Sequence, residues 1–157
     1  MAQDMLQSPA QRFELTELFA GRTVAWGIFE DRFGRLRRRF NVEMRGAWNG
    51  SQFQLDETFT YDTGETETRT WMVTPGPDGR FTATCADCVG VATGTCDAES
   101  IRMRYRFRLT ISGREIVVTF DDRIYRMGEG LAVNRATMSK LGVVLGELAL
   151  FFKREPG

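Results

Sequence analysis

The chain has no histidine and, among 157 residues, only two lysines, Lys140 and Lys153. Without imidazole there is no Ser-His-Asp triad, no histidine metal ligand and no histidine general base. No run approaches the ~20 apolar residues of a membrane-spanning helix. An excess of one charge is missing too, since 21 basic side chains face 21 acidic ones. Proteins that grip phosphate gather Lys and Arg, so no nucleic-acid partner is expected. Low-complexity tracts, phosphate loops and dinucleotide fingerprints are all lacking, and no cofactor is expected. Residues 1–10 have neither the charged start nor the apolar run of a signal peptide. As written, the sequence predicts a cytoplasmic protein, or a periplasmic one if a leader precedes it.

Cysteine is scarce as well. Cys85, Cys88 and Cys96 are three in number, which leaves at least one unpaired. A Cys-x-x-Cys with a third cysteine and no histidine is a weak zinc signal. A redox Cys-x-x-Cys is expected at a helix start in a βαβ unit, and no such unit is readable. The three are expected to be small residues of a hairpin, with no metal bound.

What is present suits one domain, residues 1–157, with a single core. Apolar residues make up 42% and charged residues 27%, and twelve Phe and three Trp supply bulk. Ser8-Pro9-Ala10-Gln11 reads as a capped helix start, and Gly21 falls where a helix stop belongs. A short helix over 8–20 is therefore expected to cap one end of the fold. From Thr23 the period becomes two. Strands are expected at 23–32, 35–47, 52–61, 65–74, 80–86, 90–96, 100–111, 114–126, 131–138 and 143–152. Leu141, Val144, Leu145 and Leu148 also fit a helical stripe, but Gly142, Gly146 and the valines favour a strand kinked near Gly146. About ten strands without crossover helices predict an all-β antiparallel barrel over 23–152, whose closure removes exposed edges.

The turns fix register. Asn49-Gly50 read as a type I′ turn places Phe40 opposite Phe59, Val42 opposite Glu57 and Met44 opposite Leu55. Asp62-Thr63-Gly64 pairs Phe53 with Val73, Leu55 with Trp71 and Glu57 with Arg69. Ser112-Gly113 pairs Leu109 with Ile116, Phe107 with Val118, Tyr105 with Phe120 and Met103 with Asp122. A turn at Gly128-Glu129 pairs Ile124 with Val133 and Asp122 with Arg135.

Two charged pairs thereby fall on apolar faces, Glu57 with Arg69 and Asp122 with Arg135. An inward charge costs several kcal/mol unless paired or wet. Such pairs either close a barrel end structurally or form a polar patch in an apolar cavity, where Arg69 or Arg135 could hold a carboxylate. Phe40, Phe59, Trp71, Tyr105 and Phe120 are the expected cavity walls. Arg38, opposite Tyr61 in this register, either points inward or reaches solvent. Trp26 is expected to seal the barrel base. Arg102, Arg104, Arg106 and Arg108 alternate with apolar residues and form an outer row, with Arg104 opposite Asp121; an anionic membrane or acidic partner is the sharper use of such a row. Asp121 and Asp122 are adjacent in a strand and face opposite ways, so they cannot work as an acid–base pair.

Trp26-Gly27-Ile28-Phe29-Glu30-Asp31-Arg32-Phe33-Gly34, Phe120-Asp121-Asp122-Arg123-Ile124-Tyr125 and Asn134-Arg135-Ala136-Thr137-Met138-Ser139-Lys140 resemble an uncharacterised bacterial family of small proteins, often described as lipoproteins. The resemblance runs from about Phe13 to Lys153. It implies a lipocalin-like, calycin-type barrel and carries no established activity or catalytic residue. Relatives are often encoded beside enzymes that modify fatty acyl chains, which implies a lipid-related role. No cysteine precedes Cys85, so an N-terminal lipid anchor is not expected. Three functions remain open: a binder of a small apolar ligand such as a fatty-acyl lipid, a cofactor-independent enzyme of fatty-acid or isoprenoid chemistry using Glu57 or Asp122, or a filled barrel that works through its surface. Oligomeric state is not readable.

Overall fold

The computed structural model describes residues 12–156. Alternating apolar and polar residues build ten strands: β1 (Gly21–Asp31), β2 (Leu36–Asn49), β3 (Gln52–Tyr61), β4 (Thr66–Pro75), β5 (Arg80–Thr84), β6 (Cys88–Cys96), β7 (Ser100–Ile111), β8 (Arg114–Gly128), β9 (Leu131–Lys140) and β10 (Val143–Arg154). Each pairs antiparallel with its sequence neighbours, and β10 returns to β1 to close the barrel. All ten expected strands form. The kink foreseen in β10 is a register shift between Val144 and Gly146.

A single turn of helix, α1 (Leu15–Leu18), precedes β1. The expected capping box at Ser8, Pro9 and Gln11 lies outside the described residues. Phe13, Leu15, Leu18 and Phe19 are buried, and the Phe19 ring meets Phe152 edge-on at 5.4 Å. The helix thus plugs the barrel end where β1 begins and β10 finishes.

Two of the four turns behave as read. Ser112 and Gly113 both carry positive φ, 51° and 76°, as a type I′ turn requires, and β7 pairs with β8 in the expected register. Gly64 takes φ 87°, and Glu57 stands across from Arg69.

The other two differ. At the β2–β3 hairpin Asn49 pairs with Gln52, so the turn is Gly50-Ser51. Only Gly50 has positive φ there, 66°, which suits a II′-like turn rather than I′. Phe40 consequently faces Tyr61, Val42 faces Phe59 and Met44 faces Glu57. The shift is two residues, so every side chain keeps its face. At β8–β9 Gly128 pairs with Leu131, so the turn is Glu129-Gly130, and an irregularity between Arg126 and Gly128 leaves the register one residue from the expected one. Asp122 faces Ala136 and Ile124 faces Asn134, so Arg135 turns outward and Asn134 inward. The expected Asp122–Arg135 pair does not exist; Arg135 bonds Glu147 at 3.1 Å on the outer surface.

Trp26 also departs from expectation. It is 49% exposed and stacks on Phe151 outside the barrel, while its neighbours Ala25 and Gly27 face in.

Gly46 on β2 seats the plug. A Cβ there would fall on the Phe19 carbonyl oxygen and 2.5 Å from the Phe53 ring. Gly46→Ala is expected to cost roughly 1–3 kcal/mol through overpacking, read as a lowered urea midpoint. An unchanged midpoint would show that α1 is not seated against β2.

Candidate functional site

The barrel interior holds a cavity of about 120 Å³. Phe40, Glu57, Phe59, Arg69, Trp71, Tyr105 and Asp122 line it, and the β3–β4 and β7–β8 registers put them there. Phe120 does not; it packs behind Tyr105, the two rings stacked 5.4 Å apart. Arg135, on the outer face, is excluded from the interior by the β8–β9 shift. Arg38 sits at the end of β2, half-buried. Its guanidinium lies 5.5 Å from the Tyr61 ring centroid and donates to Thr63 Oγ1, so Thr63 is its cross-hairpin neighbour rather than Tyr61.

Arg69 is the inward base. Its guanidinium carbon lies 4.8 Å from the Phe59 ring centroid and 4.5 Å from that of Phe107, a cation–π clamp. Although Glu57 stands directly across the ladder, Arg69 Nη2 bonds Glu67 Oε1 at 3.0 Å. Tyr61 donates its hydroxyl to the other Glu67 oxygen at 2.9 Å. Glu57 instead accepts from Trp71 Nε1 at 2.8 Å. Burial works against the Arg69 charge, but the Glu57 and Glu67 carboxylates outweigh it and raise the pKa. For Glu57, burial raises the pKa beyond what Arg69 and the Trp71 bond take back.

Asp122 is the second inward carboxyl. Asn134 Nδ2 donates to its Oδ2 at 3.4 Å. Burial, against that bond and the nearby Tyr105 hydroxyl and with the Glu57 and Asp121 charges adding to it, pushes its pKa from 3.8 up to about 7. Tyr105 beside it is raised by burial and by the Asp122 charge. Asp122 Oδ1, Asn134 Oδ1 and Arg69 Nε are buried without a hydrogen-bond partner among the described residues.

Glu67 and Asn134 escape the sequence reading for different reasons. Glu67 shares a face with Arg69 two residues away, and that spacing was a usable signal. Asn134 becomes inward only through the β8–β9 irregularity, which nothing in the residues around Met127 announces.

Cys85 and Cys88 bracket the β5–β6 turn, where Cys88 N–H donates to the Cys85 carbonyl. All three cysteines are free thiols. A hydrogen bond from Cys88, against burial, brings Cys85 down to about 7; burial pushes Cys96 up to about 11. No grouping of three or more His, Cys, Asp or Glu able to hold a metal occurs among the described residues.

Outside the barrel, Arg102, Arg104, Arg106 and Arg108 are exposed. Arg104 stands across from Asp121, but the ion pair there is Arg102–Asp121 at 3.9 Å, and Arg108 meets Glu115 at 3.7 Å. Exposed pairs of this kind contribute little. No helix among the described residues is long and apolar enough to cross a membrane.

Two outcomes follow from these titrations. Between its ordinary 3.8 and about 7, Asp122 keeps in the native state a proton that the unfolded chain has released. Its contribution to stability is complete below 3.8 and is lost as pH rises through about 7, at ~1.4 kcal/mol per pH unit. Unfolding free energy should fall across that window, and Asp122→Asn should flatten the slope; an unaltered slope would assign it to other groups. Separately, Cys85 should be alkylated by iodoacetamide at neutral pH before Cys88 and Cys96, as peptide mass mapping would show. Equal labelling of all three would contradict the thiol arrangement.

Comparison with known proteins supports the same architecture. No curated protein matches the chain. The structure of the S-type phycobiliprotein lyase CPES from Guillardia theta superposes with a TM-score of 0.70, covering 99% of this chain and 97% of that one at 9% identity. The structure of EF1p2_mFAP2b bound to DFHBI gives a TM-score of 0.50 over 94% of this chain and 100% of that one, at 8% identity. The likeness is one of fold, a ten-stranded lipocalin-like barrel. The family model for DUF3833, a protein of unknown function, matches residues 1–154, and the chain belongs to that family.

Proposed function

We propose that the barrel binds a small apolar ligand inside, of the fatty-acyl or a related lipid class, with no nucleic acid as partner. The observation that carries this is the cavity: apolar and aromatic walls interrupted by a few convergent polar groups, Glu57, Arg69 and Asp122. Binding pockets have that composition. The barrels it resembles in fold are a phycobiliprotein lyase and a protein bound to the small molecule DFHBI, and small-ligand binding is in keeping with that likeness.

Size limits the reading. About 120 Å³ is close to the ~150 Å³ engineered cavity that takes benzene, and below the ~300–1,000 Å³ of pockets for larger ligands. A ring or the end of a short chain fits. A longer acyl chain requires the walls or the α1 plug to move. The cavity also argues against a completely filled barrel acting only through its surface.

The test is native mass spectrometry after exposure to a pool of lipids and single-ring hydrocarbons. A bound adduct is expected, and Ala83→Leu, which fills the cavity from a buried wall position, should abolish it with the fold intact by circular dichroism. An adduct that persists in Ala83→Leu would move the site to the outer surface. No uptake at all by the wild-type protein would end the reading.

A further inference from the structure

The polar end of such a ligand is legible from what the cavity wall leaves unmatched. Asp122 and Asn134 are 9% and 6% exposed and sit side by side in the wall, joined by one 3.4 Å bond. That bond uses Asp122 Oδ2 and Asn134 Nδ2. The remaining oxygen of each, Asp122 Oδ1 and Asn134 Oδ1, is buried without a partner among the described residues. Leaving a buried polar atom unmatched costs about 1–3 kcal/mol, and here two unmatched acceptors on adjacent strands belong to residues that line one cavity.

The arginine offers much less. A carboxylate is fixed by two parallel N–H bonds from one guanidinium. Arg69 has Nη2 bonded to Glu67, its guanidinium packed against the Phe59 and Phe107 rings, and Nε buried without a partner among the described residues. A ligand carboxylate would also meet the Glu57 and Asp122 carboxyls, which line the same space. Two carboxyls beside one guanidinium that is already paired run against an anion.

We propose that the inner site recognises a hydrogen-bond donor, an amine or hydroxyl carried on a small apolar body, through Asp122 Oδ1 and Asn134 Oδ1, and that it disfavours a carboxylate. An amine stands ahead of a hydroxyl, because it brings more than one N–H to two acceptors and its positive charge opposes the carboxyls. This rests on the inner-cavity reading above and assigns the head group that reading leaves open. A fatty acid is thereby a poor ligand, and a fatty amine, amide or alcohol a better one.

Four single-ring probes of matched skeleton test it: toluene, benzyl alcohol, benzylamine and benzoate, titrated into the whole protein by calorimetry at neutral pH. Benzylamine is expected to bind tightest and benzyl alcohol next, both at least about tenfold tighter than toluene, the scale of one hydrogen bond to a charged group. Benzoate should bind more weakly than toluene. Asp122→Leu should bring the amine and the alcohol down to the toluene level while toluene binding persists. Should that variant fail to fold, Asn134→Leu reads the second acceptor, and the wild-type ranking decides by itself. Benzoate binding as tightly as benzylamine, or toluene equalling the amine, overturns the head-group assignment and leaves the cavity reading standing. Failure of all four to bind removes both.

Discussion

A guanidinium inside an aromatic barrel must bring its counter-charge with it. Arg69 has a side chain only 14% exposed, and the desolvation of such an ion amounts to several kcal/mol. Glu67 supplies the contact charge, Phe59 and Phe107 the faces, and Tyr61 holds Glu67 from its other side. With Arg69 so occupied, Glu57 is released to bond Trp71, and Asp122 is left to Asn134. The hydrogen-bond partners of Glu57 and Glu67 follow from that one accommodation, while the β8–β9 irregularity sets Asn134 beside Asp122.

The barrel itself was legible from alternation and turn chemistry, because each strand has one wet and one dry face and the hairpins are short. Registers fared according to which of its two possible turns each glycine takes. At Ser112-Gly113 both residues take the positive φ of a I′ turn, and the β7–β8 pairs came out as read. Asn49-Gly50 allows two: glycine can be the second residue of a I′ turn or the first of a II′ turn, and the chain takes the latter. Parity protected the face assignment there. It gave no protection at β8–β9, where an odd shift exchanged Arg135 for Asn134.

The candidate site was therefore legible in part. Glu57 opposite Arg69 depended on a well-marked turn, and the pair does share a face. Which hydrogen bonds the two then make was not readable, because rotamers rather than register decide between Glu57 and Glu67 as the partner of Arg69. Trp26 misled for a related reason. A large aromatic suggests a core position, yet the narrow point where β1, β2 and β10 meet has room only for Gly27, whose added Cβ would lie 2.5 Å from the Phe40 ring.

Closure joins the two most distant strands. Thr23 pairs with Arg154, and the Glu155 N–H reaches the Arg22 carbonyl at 2.9 Å. Every other ladder links neighbours in sequence, so those hairpins can zip locally, whereas the β1–β10 seam must bring distant segments together and carries the largest loop entropy. An open sheet with nine ladders has no inside. The interior space comes into being only when the seam shuts. The cavity walls are therefore completed by the contact that the topology makes slowest to form.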